Sequence, residues 1–329
     1  MCYSSHSLVC HVIVGRLTIY VLDKLSIHTS NSSPFVFGLP YPLPYRCPTV
    51  IKKIVHRDSM ANRQQETRYE PAILEYGDIY FFYRPKVGSQ EVKSIDDVRR
   101  FFMVTAPEKT TKKNDEKEKK KHRQLYRLFV IGKKSLPEIR KSEARSSERY
   151  WARVGGIFER PEELTKELLS DEFRKGDLAR PVGEGKYAIV KYQNHAELAY
   201  ILELPKEPGE AQKELGIEKE ASYIVTVINP VKPIPEGYPS ADQSPQYPDS
   251  IQKEFKDDEN FIPLTRNLEL INYQNAQIIL IGAREGRDII KKEVGIEIKE
   301  EPSSVDIFSK LKVRKEQVPL RPIIRGKLE

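Results

Sequence analysis

Cysteine is scarce in these 329 residues: Cys2, Cys10 and Cys47 are all there are. Everything after position 47 therefore lies beyond disulfides, thiolate zinc sites and cysteine nucleophiles. Tryptophan occurs once, as Trp151, and histidine six times, four of them (His6, His11, His28, His56) before position 60. A run of about 20 apolar residues is missing too, so no stretch reads as a membrane helix. Residues 8–22 are apolar but contain His11 and Arg16. They lack a basic region before them and a small-residue cleavage site after them, which argues against a secretory signal.

The common loop chemistries are also lacking. RPVGEGK, residues 180–186, resembles a phosphate loop, but the Walker pattern needs glycine where Arg180 stands and Ser or Thr where Tyr187 stands. A dinucleotide fingerprint would need a third glycine at Ala188. The stretch reads as a plain turn. His195 and Glu197 have the His-x-Glu spacing of zinc deaminases, yet no cysteine follows to supply the Pro-Cys-x-x-Cys half of that site. No Gly-x-Ser-x-Gly elbow, His-Glu-x-x-His helix or EF-hand loop is found, and no metal or cofactor is implied.

Acidic residues are rare at the start. Only two of the 48, but six of the 55 basic residues, precede position 60, which leaves 46 and 49 for the rest. About half of the +7 formal charge thus belongs to a segment unlike the remainder, and charge alone does not point to an anionic partner. The segment also holds the Pro-rich FGLPYPLPYRCP, while Met60 opens a polar stretch. Residues 1–59 are expected to be an extension without a fold of its own, disordered or upstream of a natural start at Met60. Residues 60–329 are expected to form a single domain.

That body contains a succession of short strands. The clearest is a hairpin: residues 187–192 and 197–204 are rich in β-branched and aromatic residues around Gln193-Asn194-His195-Ala196. Leu198, Tyr200, Leu202 and Leu204 fall at period two and should face the core. Strands are expected also at residues 79–83, 102–105, 126–132, 150–158 and 221–228. AQIILIGA, residues 276–283, shows no alternation and should be buried on both faces. Short helices are predicted at residues 95–102 behind Ser94, at 161–173 with Pro161 first, and at 209–216. A further one should open on a capping box of Asp249 and Gln252. Six prolines in residues 229–248 mark an extended connector, which Tyr238 and Tyr247 should pin to the surface. The basic C-terminal end reads as an edge strand or a strap.

Residues 108–127 carry nine Lys or Arg and four acidic residues. Lys119, Lys120 and Lys121 are the candidates there for contact with nucleic acid. The interrupting Asp115, Glu116 and Glu118, with no aromatic for base stacking, favour a solvated loop instead. The remaining site candidates are His195, Glu197, Trp151 and Arg180.

EYGDIYFFYRP, YRLFVIGKKSLP, GEGKYAIVKYQNHAELAYILELP and AQIILIGA together resemble a family of uncharacterised prokaryotic proteins that begin near the position of Met60. The resemblance covers roughly residues 70–329 and implies a shared fold, with no activity to carry over. The fold expected is α+β, β-rich, with a mostly antiparallel sheet, short peripheral helices and long charged loops. The function expected is non-enzymatic binding or regulation in the cytoplasm, without a membrane. The alternatives are an enzyme with a carboxylate, Tyr or His195 in a cleft, and a nucleic-acid-binding module through the basic loop.

Overall fold

Among the described residues, most runs of β-branched and aromatic residues pair into sheet. The computed structural model describes residues 8–14, 17–23, 71–88, 92–108, 125–139, 148–169, 178–233, 243–256, 258–297 and 306–329. The chain divides into two units, residues 1–66 and 67–329. In the first, Leu8–Val14 (β1) and Leu17–Asp23 (β2) form an antiparallel hairpin. The rest of residues 1–59 lies outside the described residues.

The second unit contains Ala72–Pro85 (β3), Val98–Pro107 (β4), Tyr126–Ile131 (β5), Arg149–Phe158 (β6), Arg180–Lys191 (β7), Ala196–Leu204 (β8), Glu220–Ile228 (β9), Phe261–Pro263 (β10) and Gln277–Gly282 (β11). Its helices are Pro161–Leu169 (α1), Glu210–Glu214 (α2), Asp249–Gln252 (α3), Asp306–Lys310 (α4) and Arg321–Arg325 (α5). All strand pairs among the described residues are antiparallel. β3 to β6 make one meander and β7 to β9 another. β3 pairs with β7, and β11 lies between β9 and β6. Because β8 also pairs with β9, eight strands close into a barrel, and β10 extends it along β9. The expected β-rich antiparallel sheet is there; its closure is the feature that the sequence did not announce.

Eight strands enclose a space that side chains just fill. Here the filling is aromatic: Phe81, Tyr83, Phe101, Phe129, Tyr187, Tyr200 and Tyr223 all belong to the interior cluster. The Phe81 ring meets Tyr200 edge-on, with centroids 5.2 Å apart. Outside, α1 and the C-terminal segment cover Tyr80, Phe82, Phe102 and Val104. Ile289 and Ile290, in the π-helical turn Ile289–Val294, cover Ala188, Val190, Ala199 and Ile201. No described helix is long and apolar enough to cross a membrane.

Several local expectations need correction. RPVGEGK is not a turn but the buried first half of β7. Its glycines serve close approach, since a Cβ on Gly185 would fall 2.0 Å from the Ile201 carbonyl oxygen. The register shift between Glu184 and Gly185 also moves Leu204 off the inner row, so that it packs outside the barrel. The helix expected at residues 95–102 shrinks to a single turn, Ile95–Asp97, capped by Ser94 as its sequence suggests. Strand wins from Val98 because Phe101 and Met103 fill the interior while Phe102 and Val104 fill the outer layer. α3 begins after Pro248, not on an Asp249 cap, and the Gln252 amide donates to the Tyr247 carbonyl. The C-terminal end is a strap of short helical turns and not an edge strand. Tyr247 does pin the Pro-rich connector, donating its hydroxyl proton to the Leu270 carbonyl at 2.8 Å; Tyr238 lies outside the described residues.

Candidate functional site

The turn after β7 places His195 at the head of β8, with Ala196 inside the barrel and Glu197 on its outer surface. Glu197 is 5% exposed, and three groups converge on it. His195 Nε2 lies 3.0 Å from Oε1. Ser222, on the adjacent β9, donates its hydroxyl to Oε2 at 2.8 Å. Arg284, which follows β11, donates from Nε to the same oxygen at 3.3 Å. The two sequence candidates His195 and Glu197 are thus brought together by the fold.

The remaining partners extend the cluster outward. An Arg284 terminal N–H donates to the Tyr192 hydroxyl at 2.6 Å, and that hydroxyl donates to Glu293 at 2.6 Å. The Tyr192 and His195 rings stack with centroids 5.1 Å apart, and the guanidinium lies 5.4 Å from the Tyr192 centroid. Burial raises the Tyr192 phenol above its ordinary range, and its bond to Glu293 raises it further. Burial would lower the Arg284 pKa, but the carboxylate of Glu197 holds it above its usual value.

This set has the composition of a hydrolase triad in the wrong order. A nucleophilic serine must give its proton to the imidazole, which a carboxylate steadies from behind. Here the carboxylate stands between serine and histidine. Ser222 is wholly buried; its single hydroxyl proton lies between Glu197 at 2.8 Å and the Arg284 carbonyl at 3.1 Å, and its oxygen accepts the Arg284 backbone N–H. Its oxygen is occupied and its proton is directed away from His195.

The other candidates lie apart. Arg180 opens β7, at the far end of that strand from His195, opposite Tyr83, with one guanidinium nitrogen buried and unpartnered. Trp151 lies on β6 against Gly132, where a Cβ would come within 2.1 Å of the indole. Lys119, Lys120 and Lys121 lie outside the described residues. Arg127, counted in the basic run, is withdrawn from it: the side chain is inside the barrel, 2% exposed and bonded to Glu75 and Asn272. Sequence reasoning missed Ser222, Tyr192, Arg284 and Glu293. For Arg284 a signal existed, a cation directly after a strand buried on both faces.

Among the described residues, no group of three or more His, Cys, Asp or Glu is placed to hold a metal ion. Comparison with protein-family models, curated proteins and solved structures finds no match to this chain, so the resemblance of its four strand motifs to a prokaryotic family has no matching family model behind it.

Proposed function

We propose that this is a non-enzymatic binding or regulatory protein of the cytoplasm, which presents the outer surface around Tyr192, His195 and Arg284 to its partner. The observation that carries the reading is the order Ser222–Glu197–His195, which ties up all three groups with one another. A filled barrel supports it as a rigid scaffold, and the Arg284 and His195 side chains, 48% and 35% exposed, remain available at its surface. The cytoplasmic location rests on sequence pattern alone.

The enzyme alternative is testable with p-nitrophenyl acetate. The expected rate is that of free imidazole at equal concentration, unchanged in Ser222→Ala. Turnover well above that background and lost in Ser222→Ala would show that the serine does reach the imidazole, and would overturn the proposal.

A further inference from the structure

β4 carries a bulge opposite Arg84 and Pro85: Arg84 pairs with Arg100 and Pro85 with Val98, so Arg99 is the extra residue. Val98 and Phe101, on either side, both belong to the interior cluster. The two arginines between them are thereby turned together onto the outer face, the kind of re-aiming that bulges provide. One step past the Phe101–Ile131 pair stands Gly132, whose N–H donates to the Trp151 carbonyl on β6 at 3.0 Å. Arg100, Gly132 and Trp151 thus form one row across three strands, with backbones about 10 Å apart from end to end at the usual strand spacing. Arg149 and Arg153 flank Trp151 on the same face, because Ala152 and Val154 take the interior.

The cations of this face are not neutralised. Among the described residues, Arg99 and Arg100 form no hydrogen bond and no ion pair. Arg153 donates to Asn275, a neutral group, at 2.6 Å. Partial burial lowers the Arg100 pKa, and the Arg99 and Arg153 charges lower it further; the Glu167 carboxylate offsets only part of this. Arg160, Arg284 and Arg287, exposed as those two are, each bond to a carboxylate. Arg84, facing Arg100 from β3, is turned to the Glu167 and Leu168 carbonyls at the end of α1. Like charges held side by side destabilise a sheet, and an anion between them removes that cost.

Trp151 is the second, independent feature. A Cβ on Gly132 would meet Cε2 of the indole at 2.1 Å, with Cδ2 and Nε1 at 2.5 Å, so the middle of the ring system lies on bare backbone. The side chain is half-buried, which leaves the rest of it open beside the arginines.

We propose that this face binds a phosphate monoester with a flat organic group, its phosphate between Arg100 and Arg153 beside Arg99, and its ring against Trp151. Such a phosphate carries about −1.5 to −2 charges near neutrality, which suits several guanidinium groups better than a singly charged carboxylate does. Its oxygens also match the guanidinium fork, and an indole accepts any flat ring. The inference goes beyond the binding reading above and stands without it, since this row lies on β4 to β6 while the Glu197 cluster centres on β8 and β9.

Trp151 is the only tryptophan in the chain, so its fluorescence, excited at the red edge of its absorption, reports on this face alone. The test is titration of the full chain at low salt with phenyl phosphate, adenosine monophosphate, inorganic phosphate and adenosine. Both monoesters should saturate with a Kd of about 1 mM or tighter, and inorganic phosphate should bind at least about threefold more weakly. Adenosine should not saturate. The double variant Arg99→Gln with Arg100→Gln should weaken both monoesters at least about tenfold, while its thermal midpoint without ligand stays level or rises as the repulsion is relieved. Arg284→Ala should leave the titrations unchanged. The proposal is overturned if neither monoester saturates below about 10 mM, if the double variant binds as the parent does, or if inorganic phosphate binds as tightly as the esters, which would leave Trp151 no part. A double variant that melts several degrees lower would make the two arginines structural and overturn it as well. Loss of binding in Arg284→Ala would move the site to the other surface. Tighter binding of an oligoadenylate than of the mononucleotide, persisting at about 200 mM salt, would make the occupant a nucleic acid and overturn the ligand class.

Discussion

Glu75 and Glu184 sit on neighbouring strands of one barrel, and the protein neutralises them in opposite ways. Glu75 meets the Arg127 guanidinium at the end of the interior, accepting at 2.6 and 2.8 Å with both oxygens, and also accepts the Tyr187 hydroxyl at 2.5 Å. Burial alone would lower the Arg127 pKa, but Glu75 holds it above the ordinary value. Glu184 faces outward and accepts two backbone N–H groups at the start of α4, from Asp306 and Ile307, at 2.9 and 3.0 Å. The nearby Lys186 and Lys310 both bond to Asp78 instead. Burial therefore pushes the Glu184 carboxyl up to about 7; the two N–H bonds oppose the rise, and the Asp306 and Glu203 carboxylates add to it. A guanidinium fork balances a whole charge, whereas the dipoles at the start of a five-residue helix balance only part of one.

The sharpest way to break the first arrangement is Arg127→Met, which leaves Glu75 in place with its main partner gone. Removing one member of a buried pair costs about 3 to 5 kcal/mol, and urea unfolding should show a loss of that size. The double variant Arg127→Met with Glu75→Gln should recover part of it. An unchanged midpoint for the single variant would mean that water reaches the pair freely. Leu202→Ala, in the apolar part of the same interior, should cost about 2 to 5 kcal/mol by cavity formation alone. A smaller loss than that would show that the aromatic filling collapses into the gap.

The second arrangement is sharpened by pH. The folded pKa of Glu184, about 7, lies above the ordinary value of 4.5, so the native state keeps a proton that the unfolded chain has already released. Its stabilising contribution is complete below the ordinary value and is lost as pH rises through about 7. Glu184→Gln imitates the protonated carboxyl. It should match the parent near pH 4 and exceed it near pH 8 by on the order of 2 to 3 kcal/mol, with a flatter stability profile between them. A variant less stable than the parent at pH 8 would show that the charged carboxylate is what α4 requires.

The same comparison explains which parts of the molecule were legible in advance. β8 announces itself by Leu198, Tyr200 and Leu202 at period two, β5 by its run of aromatic and β-branched residues, and α1 by Leu164 and Leu168 one turn apart. Closure of the barrel depends on which edges meet across long stretches of chain, as when β3 pairs with β7, and no local pattern encodes that. The first half of β7 was misread because Pro181, Gly183 and Gly185 signal a turn, while their use here is close packing against β3 and β8. In the candidate site, the pairing of His195 with Glu197 was visible because a single residue, Ala196, separates them. Ser222 and Arg284 lie 25 and 87 residues from Glu197 and reach it only through the pairing of strands.

The smallest expected effect concerns the basic run, because Arg127 shows how a cation counted from sequence is lost to a partner. With Arg127 inside the barrel, eight positive residues remain against four acidic ones in residues 108–127, and one of those acids, Glu108, is held by Lys186 at 3.2 Å. A mixed-sign stretch does not bring all its cations onto phosphates together. Two or three contacts give weak binding that ignores sequence, whereas six or more would make affinity fall steeply with salt. Short RNA and duplex DNA should therefore bind no tighter than about 10 µM at physiological salt, within the non-specific range. Changing Lys117, Lys119, Lys120 and Lys121 together to Gln should leave fluorescence anisotropy nearly unchanged. Submicromolar binding that persists at about 200 mM salt and disappears in the fourfold variant would make this run, and not the His195 surface, the functional site.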